Sequence, residues 1–217
     1  MTAILFDLDG TLVDTAPDMG AALNHILMEE NLPVLPLEVI RPHVSRGGLA
    51  LTLLGFEAHR HEDEIEPLRL RFLDRYFEHI ANHSALFDGY DDVLKKLEDN
   101  GIAWGVVTNK PGWLTDPLMQ CLELAERAAV IISGDTTAER KPHPLPLQTA
   151  AERIGQPCSE CLYIGDDRRD IQAGSAAGMT TVIARYGYIT EPDSIDQWQA
   201  HFTIDRPVDI LELINLQ

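Results

Sequence analysis

Two aspartates separated by one residue, in Asp7-Leu8-Asp9-Gly10-Thr11, follow directly on the apolar run Ala3–Phe6. If that run is a strand, carboxylates at i and i+2 project to the same side of its end. There they repel unless a cation lies between them or one is protonated. A hard divalent cation such as Mg²⁺ suits oxygen ligands of this kind and is commonly shared with substrate phosphate. With that charge around it, an aspartate can attack phosphorus and form an aspartyl phosphate, while a second carboxyl gives a proton to the departing alcohol. Gly10 would let the backbone turn sharply behind the pair. An isolated Asp-x-Asp also decorates turns and helix caps, so the reading depends on partners elsewhere in the chain.

Three later segments offer such partners. Thr108-Asn109 closes the run Ala103–Thr108 and supplies a hydroxyl, an amide and backbone N–H groups suited to phosphate oxygens; the same pair is also an ordinary helix N-cap. Lys141-Pro142-His143-Pro144 holds a lysine in a loop that its prolines stiffen. A lone lysine is usually a solvated charge, but here it is a candidate for stabilising phosphoryl charge and the nucleophile. Gly165-Asp166-Asp167-Arg168-Arg169-Asp170 places an acidic cluster after a glycine. Asp166 is the natural further carboxylate for a metal, whereas the plain use of Asp167 or Asp170 is to cap the next helix.

Positioning these groups requires a particular architecture. Short apolar runs at Ala3–Phe6, Ala103–Thr108, Ala129–Ser133, Cys161–Ile164, Thr180–Ala184 and Phe202–Ile204 read as buried strands, and helical periodicity separates most of the later ones. Val93, Leu94 and Leu97 form one such pattern, and Leu118, Cys121 and Leu122 another. Alternating β and α elements predict an α/β fold built on a doubly wound parallel sheet, whose ligand crevice lies beyond the carboxyl ends of the strands. The interval of about 95 residues between the first two strands is too long for one crossover. It predicts a helical insert over about 15–85, with Met19, Ala22, Leu23, Ile26 and Leu27 on one apolar stripe and Ile65, Leu68, Phe72, Leu73, Tyr76, Phe77 and Ile80 on another.

Charge narrows the partners. The 35 Asp and Glu outnumber the 17 Lys and Arg, for a formal net charge of −18. Such a field repels nucleic-acid backbones and anionic membranes, so neither is an expected partner, and a bound phosphate ester must be neutralised locally. Cys121, Cys158 and Cys161 include one Cys-x-x-Cys without a second ligand pair nearby, which predicts reduced structural thiols rather than zinc. Met1-Thr2-Ala3 leads straight into Ile4-Leu5-Phe6 and then charge, without the pattern of a secretion signal, and no apolar run reaches the length of a membrane span. A cytoplasmic protein is expected.

In this order, Asp7-x-Asp9-x-Thr11, Thr108-Asn109, Lys141-Pro142 and Gly165-Asp166-Asp167-x-x-Asp170 resemble the four motifs of the haloacid dehalogenase superfamily of phosphohydrolases, and they span nearly the whole chain. The resemblance implies a Rossmann-like core of residues 1–14 and 86–217 and a small helical cap of residues 15–85. It implies that Asp7 is the phosphorylated nucleophile and Asp9 the general acid and base. Mg²⁺ would be held by the Asp7 carboxylate, the Asp9 backbone carbonyl and Asp166. Thr108 and Lys141 would grip the phosphoryl group, Thr11 and Asn109 would contact substrate, and Asp167 and Asp170 would orient their neighbours from behind. A cap of this type closes over the site and recognises the organic part of the substrate, with Thr15-Ala16-Pro17 and Ser84 to Gly89 as hinges.

Within the family the chain is similar to phosphoglycolate phosphatases. It most resembles bacterial N-acetylmuramic acid 6-phosphate phosphatases of cell-wall recycling, in His83-Ser84-Ala85-Leu86-Phe87, Trp104 to Pro111 and Ala184-Arg185-Tyr186-Gly187-Tyr188-Ile189. In the cap, His43-Val44-Ser45-Arg46-Gly47-Gly48 offers glycines for close backbone approach and Arg46 for a substrate carboxylate, or else a plain helix-terminus turn. The expected ligand is a small phosphorylated metabolite, and the expected state a monomer or homodimer. A sugar phosphomutase of the same fold and a non-catalytic binding module are the other readings. Intact Asp7, Asp9, Lys141 and Asp166 argue against the second of these.

Overall fold

A computed structural model describes residues 2–189 and 192–215; Met1, where the N-terminal reading begins, lies outside the described residues. The first strand, β1 (Ala3–Phe6), is buried along its whole length. Its side chains alternate between two cores. Ile4 and Phe6 join Trp104, Val106, Leu162 and Ile164 on one face, whereas Ala3 and Leu5 join Val107, Cys161 and Tyr163 on the other. A parallel strand covered on both faces has no place for polar residues, which explains the unbroken apolar run.

After β1 come β2 (Val13–Asp14), α1 (Ala16–Glu29), α2 (Leu37–Ile40), a 3₁₀ turn at Arg41–Arg46, α3 (Gly47–Phe56), α4 (Glu62–Glu78) and β3 (Ala85–Leu86). The chain continues through α5 (Tyr90–Asp99), β4 (Ala103–Val107), α6 (Gly112–Cys121), β5 (Val130–Ile132), α7 (Leu145–Ile154), β6 (Cys161–Gly165), α8 (Arg168–Ala177), β7 (Thr180–Ala184), β8 (Phe202–Ile204) and α9 (Asp209–Leu213). Six strands form a parallel sheet in the order β5-β4-β1-β6-β7-β8. The chain winds outward from β1 through β4 to β5, then returns to the other side of β1 with β6. The reversal opens a crevice at the carboxyl ends of β1, β4 and β6. All six sequence-read strands are present, within one residue at each end.

The stretch between β1 and β4 is helical, as its periodicity predicts. Met19, Ala22, Leu23, Ile26 and Leu27 are buried on α1, and Ile65, Leu68, Phe72, Leu73 and Tyr76 on α4. Two members of the second stripe depart from expectation. Phe77 is half exposed, because it follows Tyr76 by about 100° around the helix; its ring instead leans on Trp113 of α6, with centroids 5.7 Å apart. Ile80 is buried but lies beyond the end of α4. Cys121 ends α6 exposed to solvent rather than on its apolar face.

Entry to and exit from the helical stretch are joined twice. The antiparallel ribbon pairs Val13 with Leu86 and Asp14 with Ala85. Beside it the buried Asp18 carboxylate accepts the Ser84 N–H and hydroxyl, each at 2.7 Å, and the His83 N–H at 2.9 Å. Alanine at position 18 would leave these donors without their acceptor. We expect Asp18→Ala to lower unfolding free energy by about 2–4 kcal/mol, read from the urea midpoint; a loss below about 0.5 kcal/mol would contradict this reading.

Candidate active site

The strand ends meet at a cavity of about 630 Å³ whose wall includes Asp7, Asp9, Thr108, Asn109, Lys141 and Asp170 from the sheet side. Arg46, Gly47 and Leu70 contribute from the helical stretch. Asp7 continues the ladder, its N–H reaching the Ile164 carbonyl at 2.9 Å. Because Phe6 and Ile164 are paired in register, Asp7 falls level with Gly165, and Asp166 follows one residue beyond at the same strand ends. Carboxylate oxygens of Asp7, Asp166 and Asp170 all lie within 4.8 Å of one another, and all three residues are buried.

Lys141 meets this cluster. Its ammonium lies 2.8 Å from Asp7 Oδ1, 2.7 Å from Asp170 Oδ1 and 2.8 Å from the Tyr163 hydroxyl. Burial alone would lower the Lys141 pKa, but Asp170 and Asp7 together outweigh it and hold the pKa above the ordinary lysine value. One ammonium cannot offset three carboxylates. Burial, with Asp170 adding to it against the opposing pull of Lys141, raises the Asp7 carboxyl to about 7. Asp166 is raised well above its ordinary value by burial and by the charges of Asp7 and Asp170. When all three are ionised, the carboxylates exceed the one ammonium by two negative charges, which a hard divalent cation would neutralise.

The other acidic residues divide the work. Asp166 accepts the Thr11 hydroxyl at 3.1 Å, the Ser45 hydroxyl at 2.9 Å and the Tyr188 N–H at 2.8 Å. Asp170 spends Oδ1 on Lys141 and Oδ2 on the Asp167 N–H, forming with Asp167 the capping box that starts α8. Asp167 accepts the Arg169 N–H and pairs with its guanidinium at 2.8 Å. Burial favours a higher Asp167 pKa, yet Arg169 prevails and keeps it below the ordinary value. Asp9 stands apart from the cluster, its Oδ1 accepting the Thr15 hydroxyl at 2.5 Å and the Lys110 ammonium at 2.9 Å.

Gly10 and Gly165 explain their own identity. At Gly10 the backbone takes φ +84°, and a Cβ would fall 2.3 Å from Asp166 Oδ2. At Gly165 a Cβ would meet Asp170 Cγ at 2.3 Å. Any side chain at either position would push a carboxylate out of the cluster.

This crevice, its acidic cluster and its lysine can be set beside known proteins. Residues 4–184 match the family model described as haloacid dehalogenase-like hydrolase. The chain belongs to that family. A phosphoglycolate phosphatase of Xanthomonas campestris pv. campestris strain 8004 is 47% identical over 210 residues, covering 97% of this chain and 95% of that protein. An N-acetylmuramic acid 6-phosphate phosphatase of Pseudomonas putida KT2440 is 41% identical over 215 residues, covering 99% and 96%. A crystal structure described as a predicted phosphoglycolate phosphatase from Haemophilus somnus 129PT superposes with a TM-score of 0.88 at 28% identity, covering 99% of this chain and 98% of that one.

For this haloacid dehalogenase-like hydrolase, most residues singled out by the sequence motifs reach the cavity. Thr108 lines it, accepting the Lys110 N–H at 3.1 Å. Asn109 also lines it, but its side-chain amide is engaged with the Lys141 backbone, donating at 2.9 Å and accepting at 3.0 Å. Thr11, expected on the substrate, is fully buried beneath Asp166 and is not on the cavity wall. Arg46 and Gly47 line the cavity at the start of α3; the close approach expected of the glycines occurs at Gly48, where a Cβ would meet Leu73 at 2.9 Å.

The sequence reading assigns Lys110, Tyr163 and Arg169 no role in the site, and places Tyr76 only in an apolar stripe and Ser45 only in the loop at 43–48. Lys110 directly follows Thr108-Asn109, and that adjacency was the available signal. Burial by itself would lower its pKa, but Asp9 and Tyr76 outweigh burial and raise it.

The raised carboxyls set a pH dependence. A group whose folded pKa exceeds its unfolded value stabilises below the unfolded pKa, and that contribution is lost as pH rises through the folded pKa. For Asp7 this window runs from 3.8 to about 7. Without added metal, the chain should lose about 2 kcal/mol of stability on this account between about pH 5.5 and 7, at roughly 1.4 kcal/mol per unit. Asp7→Asn should show a correspondingly shallower loss in urea titrations at the two pH values. Equal slopes for the two proteins would rule this out.

Proposed function

We propose that the protein is a Mg²⁺-dependent phosphatase that hydrolyses phosphate monoesters of small metabolites through an aspartyl phosphate on Asp7. The observation that carries the proposal is the convergence of Asp7, Asp166 and Asp170 carboxylate oxygens within 4.8 Å of one another beside the single Lys141 ammonium, at the end of the strand that presents Asp7 to the cavity. The donor set of buried carboxylate oxygens fits a hard cation. The Asp7 and Asp166 carboxylates and the Asp9 backbone carbonyl would hold Mg²⁺, while Asp170 remains committed to Lys141 and the start of α8. When bound, the ion supplies positive charge to Asp7 and to the phosphoryl oxygens.

The chain's own groups account for the remaining steps. An Asp7 oxygen attacks phosphorus, the bond from phosphorus to the leaving oxygen breaks, and Asp9 gives that oxygen its proton. Water then attacks the phosphorus of the aspartyl phosphate, Asp9 takes the proton, and phosphate departs as the Asp7 carboxylate is restored. Lys141 and Thr108 stabilise phosphoryl charge, and Asn109 holds the Lys141 backbone in place. Thr11, Asp167 and Asp170 act from behind, on Asp166, Arg169 and Lys141.

Residues 15–85 serve in this reading as a cap on a core of residues 1–14 and 86–217, excluding water and selecting the alcohol portion. Arg46 and Gly47 are its contact points, and Thr15–Pro17 and Ser84–Gly89 its hinges. The protein would act in the cytosol, as a monomer or homodimer; no described helix is long and apolar enough to cross a membrane. Relatives are named for phosphoglycolate and for N-acetylmuramic acid 6-phosphate. The roomy cavity and its exposed apolar wall at Leu49, Leu70 and Trp113 favour the bulkier ester.

Purified protein should release phosphate only with Mg²⁺, lose activity to a chelator and regain it on readdition. Asp7→Asn should lower kcat by about a thousandfold or more while retaining the fold. Full activity in Asp7→Asn, or no activity with Mg²⁺ on a panel of sugar and carboxylic-acid phosphates, would end the proposal. For specificity we expect kcat/KM for N-acetylmuramic acid 6-phosphate to exceed that for 2-phosphoglycolate by about a hundredfold, some 2.7 kcal/mol in the transition state. The reverse order would assign the smaller ester.

A further inference from the structure

Lys110 is a buried cation that the reaction scheme does not use. It follows Asn109 at the end of β4, and only 4% of its side chain is exposed. Its ammonium has two polar partners on separate parts of the chain: Asp9 Oδ1 at 2.9 Å and the Tyr76 hydroxyl at 3.1 Å. The Tyr76 ring lies close as well, with its centroid 4.6 Å from Nζ, so both the hydroxyl and the π-face of the tyrosine engage the cation. Tyr76 itself belongs to α4. It is fully buried on the stripe that also carries Phe72 and Leu73, and it moves with that helix.

The second hydrogen bond to Asp9 also comes from the border of the helical stretch, from Thr15 immediately before α1. The Asp9 carboxylate is therefore held at one oxygen by two donors, one at the entry to the insert and one gripped by its longest helix. Displacing α4 would take Tyr76 from Lys110, leaving a buried ammonium with Asp9 alone and a carboxylate free to turn. A cation placed only to neutralise Asp9 would not require the tyrosine.

We propose that Lys110 is a positioning residue which, through Tyr76, couples the seating of the insert to the placement of the Asp9 carboxylate for proton transfer. The inference rests on the phosphatase reading and on Asp9 as its acid. It assigns to the pair Lys110–Tyr76 the task of making proton donation depend on a seated insert, so that the acid is in place only when the alcohol portion of a substrate is enclosed.

The test exploits leaving groups. Expelling a sugar alkoxide needs a proton, whereas expelling 4-nitrophenolate does not, so misplacing Asp9 must slow the first reaction more. We would measure the first-turnover rate of Asp7 phosphorylation in rapid quench with N-acetylmuramic acid 6-phosphate and with 4-nitrophenyl phosphate. The proteins compared would be wild type, Lys110→Met and Tyr76→Phe, each with Mg²⁺. Tyr76→Phe preserves the buried ring and removes the hydroxyl, so it reports even if Lys110→Met folds poorly. The expected result is a loss at least about tenfold larger for the sugar ester than for the aryl ester in Lys110→Met, and at least about threefold larger in Tyr76→Phe, as a fraction of the usual general-acid contribution. Equal losses with both esters, or none, in Tyr76→Phe would overturn the coupling. An inactive wild-type enzyme would overturn the phosphatase reading instead, and this inference with it.

Discussion

Three buried carboxylates, two of them paired with the Lys141 ammonium, cluster at the carboxyl ends of β1 and β6 and the first turn of α8, and much of the surrounding structure serves to hold them there. Like charges at this separation in a poorly solvated site are costly, and a lone Lys141 cannot compensate them. The cluster is tolerated because most of its oxygens have donors. Asp166 takes Thr11, Ser45 and Tyr188, while Asp170 takes Lys141 and the first turn of α8. The register of β1 on β6 puts Asp7 and Asp166 at the same strand ends, where their carboxylate oxygens lie within 4.8 Å. The Asn109 amide, clamped on the Lys141 backbone from the end of β4, brings the cation. The sheet order follows from the same need, since only a strand between β4 and β6 can receive groups from both sides.

The helical stretch belongs to this arrangement more closely than a detached lid would. Its apolar residues merge with those of one sheet face into a single cluster running from Leu23 and Phe72 to Phe6 and Ile164. Polar contacts reach further, into the carboxylate site. Ser45 hydrogen-bonds Asp166, its carbonyl accepts from Arg169 at 2.7 Å, and Tyr76 touches Lys110. At the rim Phe77 meets Trp113. The state described is therefore one in which the insert is seated on the sheet and contributes directly to the surroundings of two aspartates.

Legibility in the sequence followed the number of constraints on each residue. Strands such as Ala3–Phe6 were readable because both faces and both edges are buried, which forces a continuous apolar run. The Asp7-x-Asp9 pair and Asp166 were readable because groups suited to the same chemistry recur beyond several such runs. Lys110 was not, since lysine is usually solvated and nothing in a linear chain shows that Tyr76 and Asp9 converge on it. Tyr163 was hidden for the opposite reason: inside an apolar strand it reads as core, yet its hydroxyl meets Lys141 and Asp170. Asn109 and Asp170 were identified as residues of the site and the helix cap was read for Asp170, but their work on the Lys141 backbone and ammonium depends on three-dimensional neighbours.

The same logic bears on how so acidic a chain captures an anion. At a formal charge of −18 the protein offers no long-range attraction to a phosphate ester, so binding must come from short-range groups inside the cavity. Arg46, Arg69, Arg140 and Arg169 all line it. All four are already engaged: among them Arg69 binds Glu66 through two nitrogens, Arg169 binds Asp167 and Ser45, and Arg140 Nε donates to the Gly134 carbonyl. Guanidinium groups held in this way are fixed in direction and partly neutralised, which suits them to orienting a substrate more than to drawing it in. The strong attraction must then come from the carboxylate cluster once a cation fills its deficit. Anion binding in this acidic protein would thus depend on the acidic residues themselves, through the cation that they would hold.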